Sequence, residues 1–211
     1  MRVSAADAQT RFTTATTQHL TEPLADGVTI RHVGEAEWHA AVDAMWKETL
    51  DRPGLELAPL FTPEQAAAFR DLDAIVGGRL QHRMLFDAGG ETIGGYWGQQ
   101  ETFGRYYMTV SVFRPEWRGR GLYRALLERV TAAVAASGFR EIYSRHRADN
   151  NAILVPKLRA GWVIAGFEVA PRWGLTVHLR TYLADGLALA HEYRVDGARV
   201  AELRERGLKI D

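Results

Sequence analysis

Arg118-Gly119-Arg120-Gly121-Leu122 is the segment of this chain whose residue types and spacing point most directly to chemistry. Glycine adopts left-handed dihedrals that other residues avoid, and successive N–H groups in such a turn converge on an anion. A helix starting at Leu122 would add its unpaired N–H groups and its dipole, together worth roughly 0.3–1 kcal/mol at an exposed site. Arg118 and Arg120 add positive charge. The arrangement suits a pyrophosphate, although on these residues alone a plain surface turn reads equally well. No Gly-Lys-Ser/Thr follows, which excludes a Walker loop, and the glycine spacing is not that of a Rossmann fingerprint.

Such a loop works only between a strand and a helix, and the flanking sequence supplies both. Arg105 to Phe113 reads as a strand, and Leu122 to Ala136 as a helix whose Leu122, Ala125, Leu126, Val130, Ala133 and Val134 form one apolar stripe ended by Ser137-Gly138. Upstream, Val28 to Val33 reads as a strand and Glu35 to Leu50 as a helix. Thr62-Pro63-Gln65 marks the start of a second helix through Phe69 and Leu72, with Gly77-Gly78 as its stop. Gln81 to Phe86 and Thr92 to Gln100 join Arg105 to Phe113 through tight turns as an antiparallel meander. Downstream come a strand from Phe139 to Arg145, a helix from Asp149 or Asn150 to Arg159, and strands from Trp162 to Val169 and Leu175 to Tyr182. A helical tail, Ala184 to Asp211, closes the chain. The strand-helix-strand step from Arg105 to Arg145 requires a parallel, right-handed crossover, so the sheet must be mixed and the class α+β.

The totals narrow the function. A length of 211 residues suits one substantial domain. Acidic and basic residues balance at 26 each, which argues against nucleic acid and a polybasic membrane surface as partners. The absence of cysteine excludes disulfides and thiolate chemistry. The seven histidines lack ligand spacing such as His-Glu-x-x-His, so no metal is expected. Met1 to Thr17 lacks a signal-peptide core, and no apolar run approaches the ~20 residues of a membrane span. A cytoplasmic, soluble protein is expected.

The stretch Val112-Phe113-Arg114-Pro115-Glu116-Trp117-Arg118-Gly119-Arg120-Gly121-Leu122-Tyr123-Arg124-Ala125-Leu126-Leu127 resembles motif A of the GNAT acetyltransferases. The family pattern is Arg or Gln, two residues, Gly, one residue, then Gly or Ala. Arg118 and Gly121 match it, and Tyr123 replaces the final small residue. Asn150 to Gly161 is similar to motif B, in which an Asn opens a helix that ends at Gly-Phe eleven residues on, here Gly161-Trp162. The resemblance covers roughly Val28 to Tyr182. It implies a GNAT-like central sheet of about seven strands, an antiparallel meander plus a splayed parallel pair, with helices on both faces. The expected division is an N-terminal extension (1–27), an acyltransferase domain (28–183) and a C-terminal helical extension (184–211).

By the same resemblance the co-substrate is acetyl-CoA or another acyl-CoA. Its pantetheine would pair with the backbone of Ser111 and Phe113, its pyrophosphate would lie on Arg118, Gly119, Arg120, Gly121, Leu122 and Tyr123, and Asn150 would bond the pantetheine arm. A plain helix cap is an equal reading of Asn150. The family often places a Glu in the strand here read as Arg105 to Phe113 and a Tyr seven residues after the motif B Asn. That strand has no carboxylate, and Lys157 stands at the Tyr position. His146 is then a candidate base, since imidazole titrates near neutrality, beside the reading of a structural histidine. Glu101 is a second candidate base, beside that of a solvated turn carboxylate, and Tyr107 a candidate proton donor, beside that of a core residue.

These readings describe an N-acyltransferase that moves an acyl group to a primary amine of a small molecule or peptide by direct attack in a ternary complex. An acyl-CoA sensor without turnover is the alternative, and a nucleic-acid binder a weaker third. Arg52 to Phe69, with Leu55, Leu57, Leu60 and Phe61, reads as a partly apolar lid over the acceptor. The resemblance also allows a homodimer through the last strands.

Overall fold

The computed structural model describes residues 4–21, 23–49, 54–75 and 79–209. Seven strands form one sheet in the order β1-β2-β3-β4-β5-β7-β6. They are β1 (Thr29–His32), β2 (Gln81–Ala88), β3 (Glu91–Thr102), β4 (Arg105–Phe113), β5 (Glu141–Arg147), β6 (Val163–Ala170) and β7 (Gly174–Tyr182). Only β4 and β5 run parallel, as the crossover through a helix requires; all other neighbours are antiparallel. The helices are α1 (Ala5–His19), α2 (Glu35–Thr49), α3 (Pro63–Ile75), α4 (Leu122–Ala136), α5 (Asn151–Arg159), α6 (Asp185–Asp196) and α7 (Val200–Glu205).

Two apolar clusters hold helices to opposite faces of the sheet. On one, Leu126, Val130 and Val134 of α4 and Phe12 of α1 pack on Tyr96, Tyr106 and Met108. On the other, Trp38, Val42 and Met45 of α2 pack on Leu85 and Val112, with Val110 at the margin. Met108 and Val110 are two residues apart and face opposite sides. The cause is a bulge: Trp97 pairs with Val110 and Gly98 with Met108, so Thr109 is an extra residue in β4.

Several details depart from the sequence expectations. Residues 5–19 are helical, started by a capping box in which Ser4 N donates to Asp7 Oδ2 at 2.8 Å and Asp7 N to Ser4 Oγ at 3.2 Å. The threonine-rich composition hid this helix; the Ser-x-x-Asp spacing was the available signal. β5 begins two residues later than expected, because Phe139 is buried as a core residue ahead of the strand. The Thr62–Gln65 capping box of α3 is present at 3.0 and 3.3 Å. Its expected stop, Gly77-Gly78, lies outside the described residues, as do Arg52 and Pro53.

The core contains a polar cluster. Tyr96 OH donates to Tyr106 OH at 3.2 Å, and Tyr106 OH lies 3.2 Å from His82 Nδ1. Gly98 makes room for it, since a Cβ there would stand 2.2 Å from the Tyr106 hydroxyl. Burial, with a smaller contribution from His32, lowers the His82 pKa to about 3. The unfolded chain therefore takes up a proton at this residue near pH 6.5 that the folded chain refuses until about pH 3, so folding stability falls as pH drops through that window. Between pH 7 and 4.5 His82 is expected to cost roughly 2–3 kcal/mol, from about two pH units at 1.36 kcal/mol each. Urea denaturation at the two pH values should show this loss, and His82→Gln should remove most of it; an equal loss in the variant would refute the assignment.

Candidate active site

The loop after β4 is built as its residues dictate. Pro115–Trp117 forms a short 3-10 turn, and Gly119 and Gly121 then adopt φ of 73° and 80°. No atom lies within 4 Å of where a Cβ would stand at either glycine, so the need for glycine is one of dihedral angle. Gly121 caps α4 with no side-chain hydrogen bond, and the first turn holds no acidic residue. Helix geometry leaves the N–H groups of Leu122, Tyr123 and Arg124 without intrahelical acceptors. Arg118 Nε donates to the Phe113 carbonyl at 3.1 Å, tying the loop to the end of β4. The Arg120 guanidinium lies 4.5 Å from the Trp117 ring centroid. Leu122 is buried in the core, and Tyr123 is half-buried against it, where burial and then Tyr96 raise its phenol pKa.

Beside this loop the sheet opens. β4 and β5 are in register at Arg105↔Glu141, Tyr106↔Ile142 and Tyr107↔Tyr143, and no further. From Met108 onward the β5-facing edge of β4 has no ladder partner, which leaves a notch between the strands on the side of the loop. Ser111 and Phe113 lie on this outer part of β4, paired with Tyr96 and Gly94 of β3 on the other side, and Phe113 stacks on Phe86 at 5.1 Å. Bulged Thr109 stands at the notch, its Oγ1 buried with no hydrogen-bond partner among the described residues. Asn150 caps α5 through its backbone, without a side-chain cap bond.

The parallel strands carry the loop, His146 and Asn150 to one end of the sheet and leave Glu101 at the other. Glu101 lies 3.5 Å from Arg105, which also bonds Glu141 at 2.5 Å. Side-chain alternation separates the remaining candidates. His146 shares a face with Ser144, and its Nε2 lies 3.0 Å from Ser144 Oγ. Tyr107 faces the other way, 5.8 Å from the Tyr143 ring, with the Arg145 guanidinium 5.1 Å from its own centroid.

Two groupings escaped the sequence reading because their members come from different elements. Lys157 of α5 is fully buried, its Nζ 2.7 Å from Ser144 Oγ. Burial holds this amine well below the ordinary lysine range; burial and then Lys157 hold His146 well below the ordinary imidazole range. On the opposite face Tyr143 OH lies 2.7 Å from His178 Nδ1, and His178 Nε2 lies 3.1 Å from Glu168. Among the described residues no three His, Asp or Glu side chains converge as metal ligands, and no helix is long and apolar enough to cross a membrane.

Residues 38–156 match the Acetyltransferase (GNAT) family, and the chain belongs to that family. Its structure is similar to that of a GNAT-family acetyltransferase from Streptococcus pneumoniae, at 17% identity and TM-score 0.53 over 74% of this chain and 99% of the other. It is also similar to the ribosomal-protein-S18-alanine N-acetyltransferase of Escherichia coli, at 14% identity and TM-score 0.54 over 74% and 94% of the two chains. A third similarity is to the spermidine/spermine N-acetyltransferase of Vibrio cholerae, at 14% identity and TM-score 0.51 over 79% and 98%. At these identities the likeness is one of fold. No curated protein matches the chain.

Proposed function

We propose that this acetyltransferase-family protein is an acyl-CoA-dependent N-acyltransferase acting on a primary amine of a small molecule or peptide. The observation that carries this reading is the coincidence, at one end of the sheet, of a strand notch with a loop that holds two glycines at positive φ. The N–H groups around Gly119 to Tyr123, with Arg118 and Arg120, would take the pyrophosphate. The open edge of β4 at Ser111 and Phe113 would pair with the pantetheine amides, and the side chain of Asn150, not used as a cap, would bond the same arm. The residues thus suit a long, flexible thioester with a diphosphate at one end, and the orphan Thr109 hydroxyl offers a polar contact inside the notch.

Acyl transfer requires a neutral amine, a polarised carbonyl and a proton for the departing thiolate. His146 is the proposed base, because it lies at the notch end, is half-buried and is kept unprotonated by its surroundings. Glu101, at the far end of the sheet, is the lesser candidate base, and Tyr107, on the opposite face, the candidate proton donor. The proposed setting is the cytoplasm, without metal, with a homodimer as an allowed assembly.

Calorimetry with coenzyme A, followed by thiol release from acetyl-CoA with a broad amine panel, tests the reading. Binding with amine-dependent release supports it, and no binding of any coenzyme A species rejects it. Binding without release would identify the sensor alternative, which the lack of a carboxylate on β4 favours.

The proposed acceptor lid follows α2. Leu55 N donates to the Arg172 carbonyl at 2.9 Å, joining this segment to the β6–β7 turn, while Leu55, Leu60 and Phe61 are exposed. Replacing Leu60 and Phe61 by serine is expected to raise the acceptor KM about 10-fold and to leave coenzyme A affinity within about 2-fold, given roughly 1.4 kcal/mol of lost apolar contact. Steady-state kinetics on the best amine of the panel checks this; a change in coenzyme A affinity alone would reject the lid.

A further inference from the structure

We propose that Lys157, Ser144 and His146 form one proton relay in the floor of the notch, with Ser144 and Lys157 acting as positioning residues through the His146 imidazole. The proposal rests on the acyltransferase reading above. Lys157 Nζ lies 2.7 Å from Ser144 Oγ on β5 and 3.7 Å from Met108 Sδ on β4. Ser144 and Met108 directly follow Tyr143 and Tyr107, the last registered pair, so the amine sits where the strands part. His146 Nε2 reaches the same Ser144 oxygen at 3.0 Å. Lys157 and Ser144 are each 0% exposed whereas His146 is half-buried, which makes the imidazole the accessible end of the chain.

The residue type at the buried end is informative. Of 26 basic residues, only Lys47, Lys157 and Lys209 are lysines. An arginine stays charged at any relevant pH, whereas a lysine amine can become neutral. Among the described residues the partners of Lys157 Nζ are a hydroxyl, a thioether and the Trp162 ring, whose centroid lies 3.9 Å away. No carboxylate is among them. A lone buried ammonium is costly, so burial weakens the hold of both the amine and the imidazole on a proton and makes a neutral amine accessible. A neutral Lys157 can accept the Ser144 proton, and a protonated one donates to Ser144 Oγ; a 2.7 Å contact serves both states.

The proton count closes without another reagent. As the acceptor nitrogen bonds to the thioester carbon, its surplus proton passes to His146. His146 Nε2–H then gives a proton to Ser144 Oγ, and the Ser144 proton moves to Lys157. When the C–S bond breaks, the same steps in reverse return one proton to the thiolate. Nitrogen has lost a proton, sulfur has gained one, and the relay is as it began.

A lysine that merely ties β4 to β5 would not control the pH dependence of the reaction, and this separates the two roles. The groups facing the chain are Met108 from β4, Trp162 beyond α5 and Val177 from β7, opposite His146. The Arg147–Asp149 ion pair lies at the end of β5. Among the described residues Lys157 is the one ionisable group that perturbs His146, after burial itself. Lys157→Met is expected to lower kcat about 30-fold, to leave coenzyme A affinity within about 3-fold, and to move the acid limb of kcat/KM to higher pH, because on the acid side Lys157 is protonated and its charge opposes protonation of His146. Ser144→Ala, which keeps the lysine and removes the bridge, is expected to lower kcat about 10-fold and serves if Lys157→Met does not fold. In protein carrying 13Cε-lysine, NMR titration should show one of the three lysines deprotonating well below the others. The proposal is overturned if that resonance titrates as an ordinary lysine, or if a folded variant that binds coenzyme A keeps both the rate and the acid limb. Failure of the unaltered protein to bind coenzyme A would instead reject the acyltransferase reading, and the NMR titration would still report on the chain.

Discussion

Alanine at both Gly119 and Gly121 is expected to weaken coenzyme A binding about 30- to 1000-fold. The two glycines hold φ of 73° and 80°, where an L side chain costs roughly 1–2 kcal/mol each. In the unbound variant the loop relaxes to negative φ, and its N–H groups turn away from their common focus. Binding must then restore the strained conformation, so the two penalties, roughly 2–4 kcal/mol together, come out of the affinity. Collision contributes nothing, because the space around both Cβ positions is open. Arg120→Gln makes a useful contrast: it removes one exposed charge but leaves the backbone intact, and is expected to cost about 3- to 10-fold. Calorimetry on both variants checks the ranking. A double alanine variant that binds within 5-fold of the parent would remove the loop from its proposed role.

Phe12→Ala is expected to destabilise the fold by about 3–5 kcal/mol, the range for removing a buried phenylalanine. Phe12 is 3% exposed, edge-on to Phe139 at 6.4 Å and 5.4 Å from the His82 ring. Leu20, Leu24 and Val28 continue the same cluster along the connection to β1. A chain beginning at Val28, the domain start proposed from the sequence, would uncover the apolar surface of α4 and the ring of Phe139 together. Such a chain is expected to lose cooperative unfolding in urea. A loss under about 1 kcal/mol in Phe12→Ala, or a stable truncated domain, would show that residues 1–27 are a detachable extension.

The fold was legible where information is local. Two glycines separated by one residue, a strand before them and an apolar helical stripe after them lie within one continuous stretch, and the dihedrals and N–H groups they specify depend on few distant contacts. The meander and the crossover followed similarly from turn residues and periodicity. The first helix was missed because its threonines are weak helix formers and its cap is a single Ser-Asp pair.

The candidate proton chemistry was not legible, since a pKa is set by what surrounds a group in space. Glu101 in the sequence is a plausible base; in the fold it is held by Arg105 at the far end of the paired strands. Tyr107 and His146 are separated by alternation onto opposite faces of the sheet. Lys157 in the sequence only occupies a position where a tyrosine was expected. The amino-acid order by itself determined the family resemblance, the element order from β1 to β7 and the two-glycine turn, because these arise from short-range backbone geometry and periodicity. The tertiary structure decided which side chains share the notch and how burial shifts their proton affinity, because only packing of α5 against two diverging strands removes water from Lys157 and brings it to Ser144.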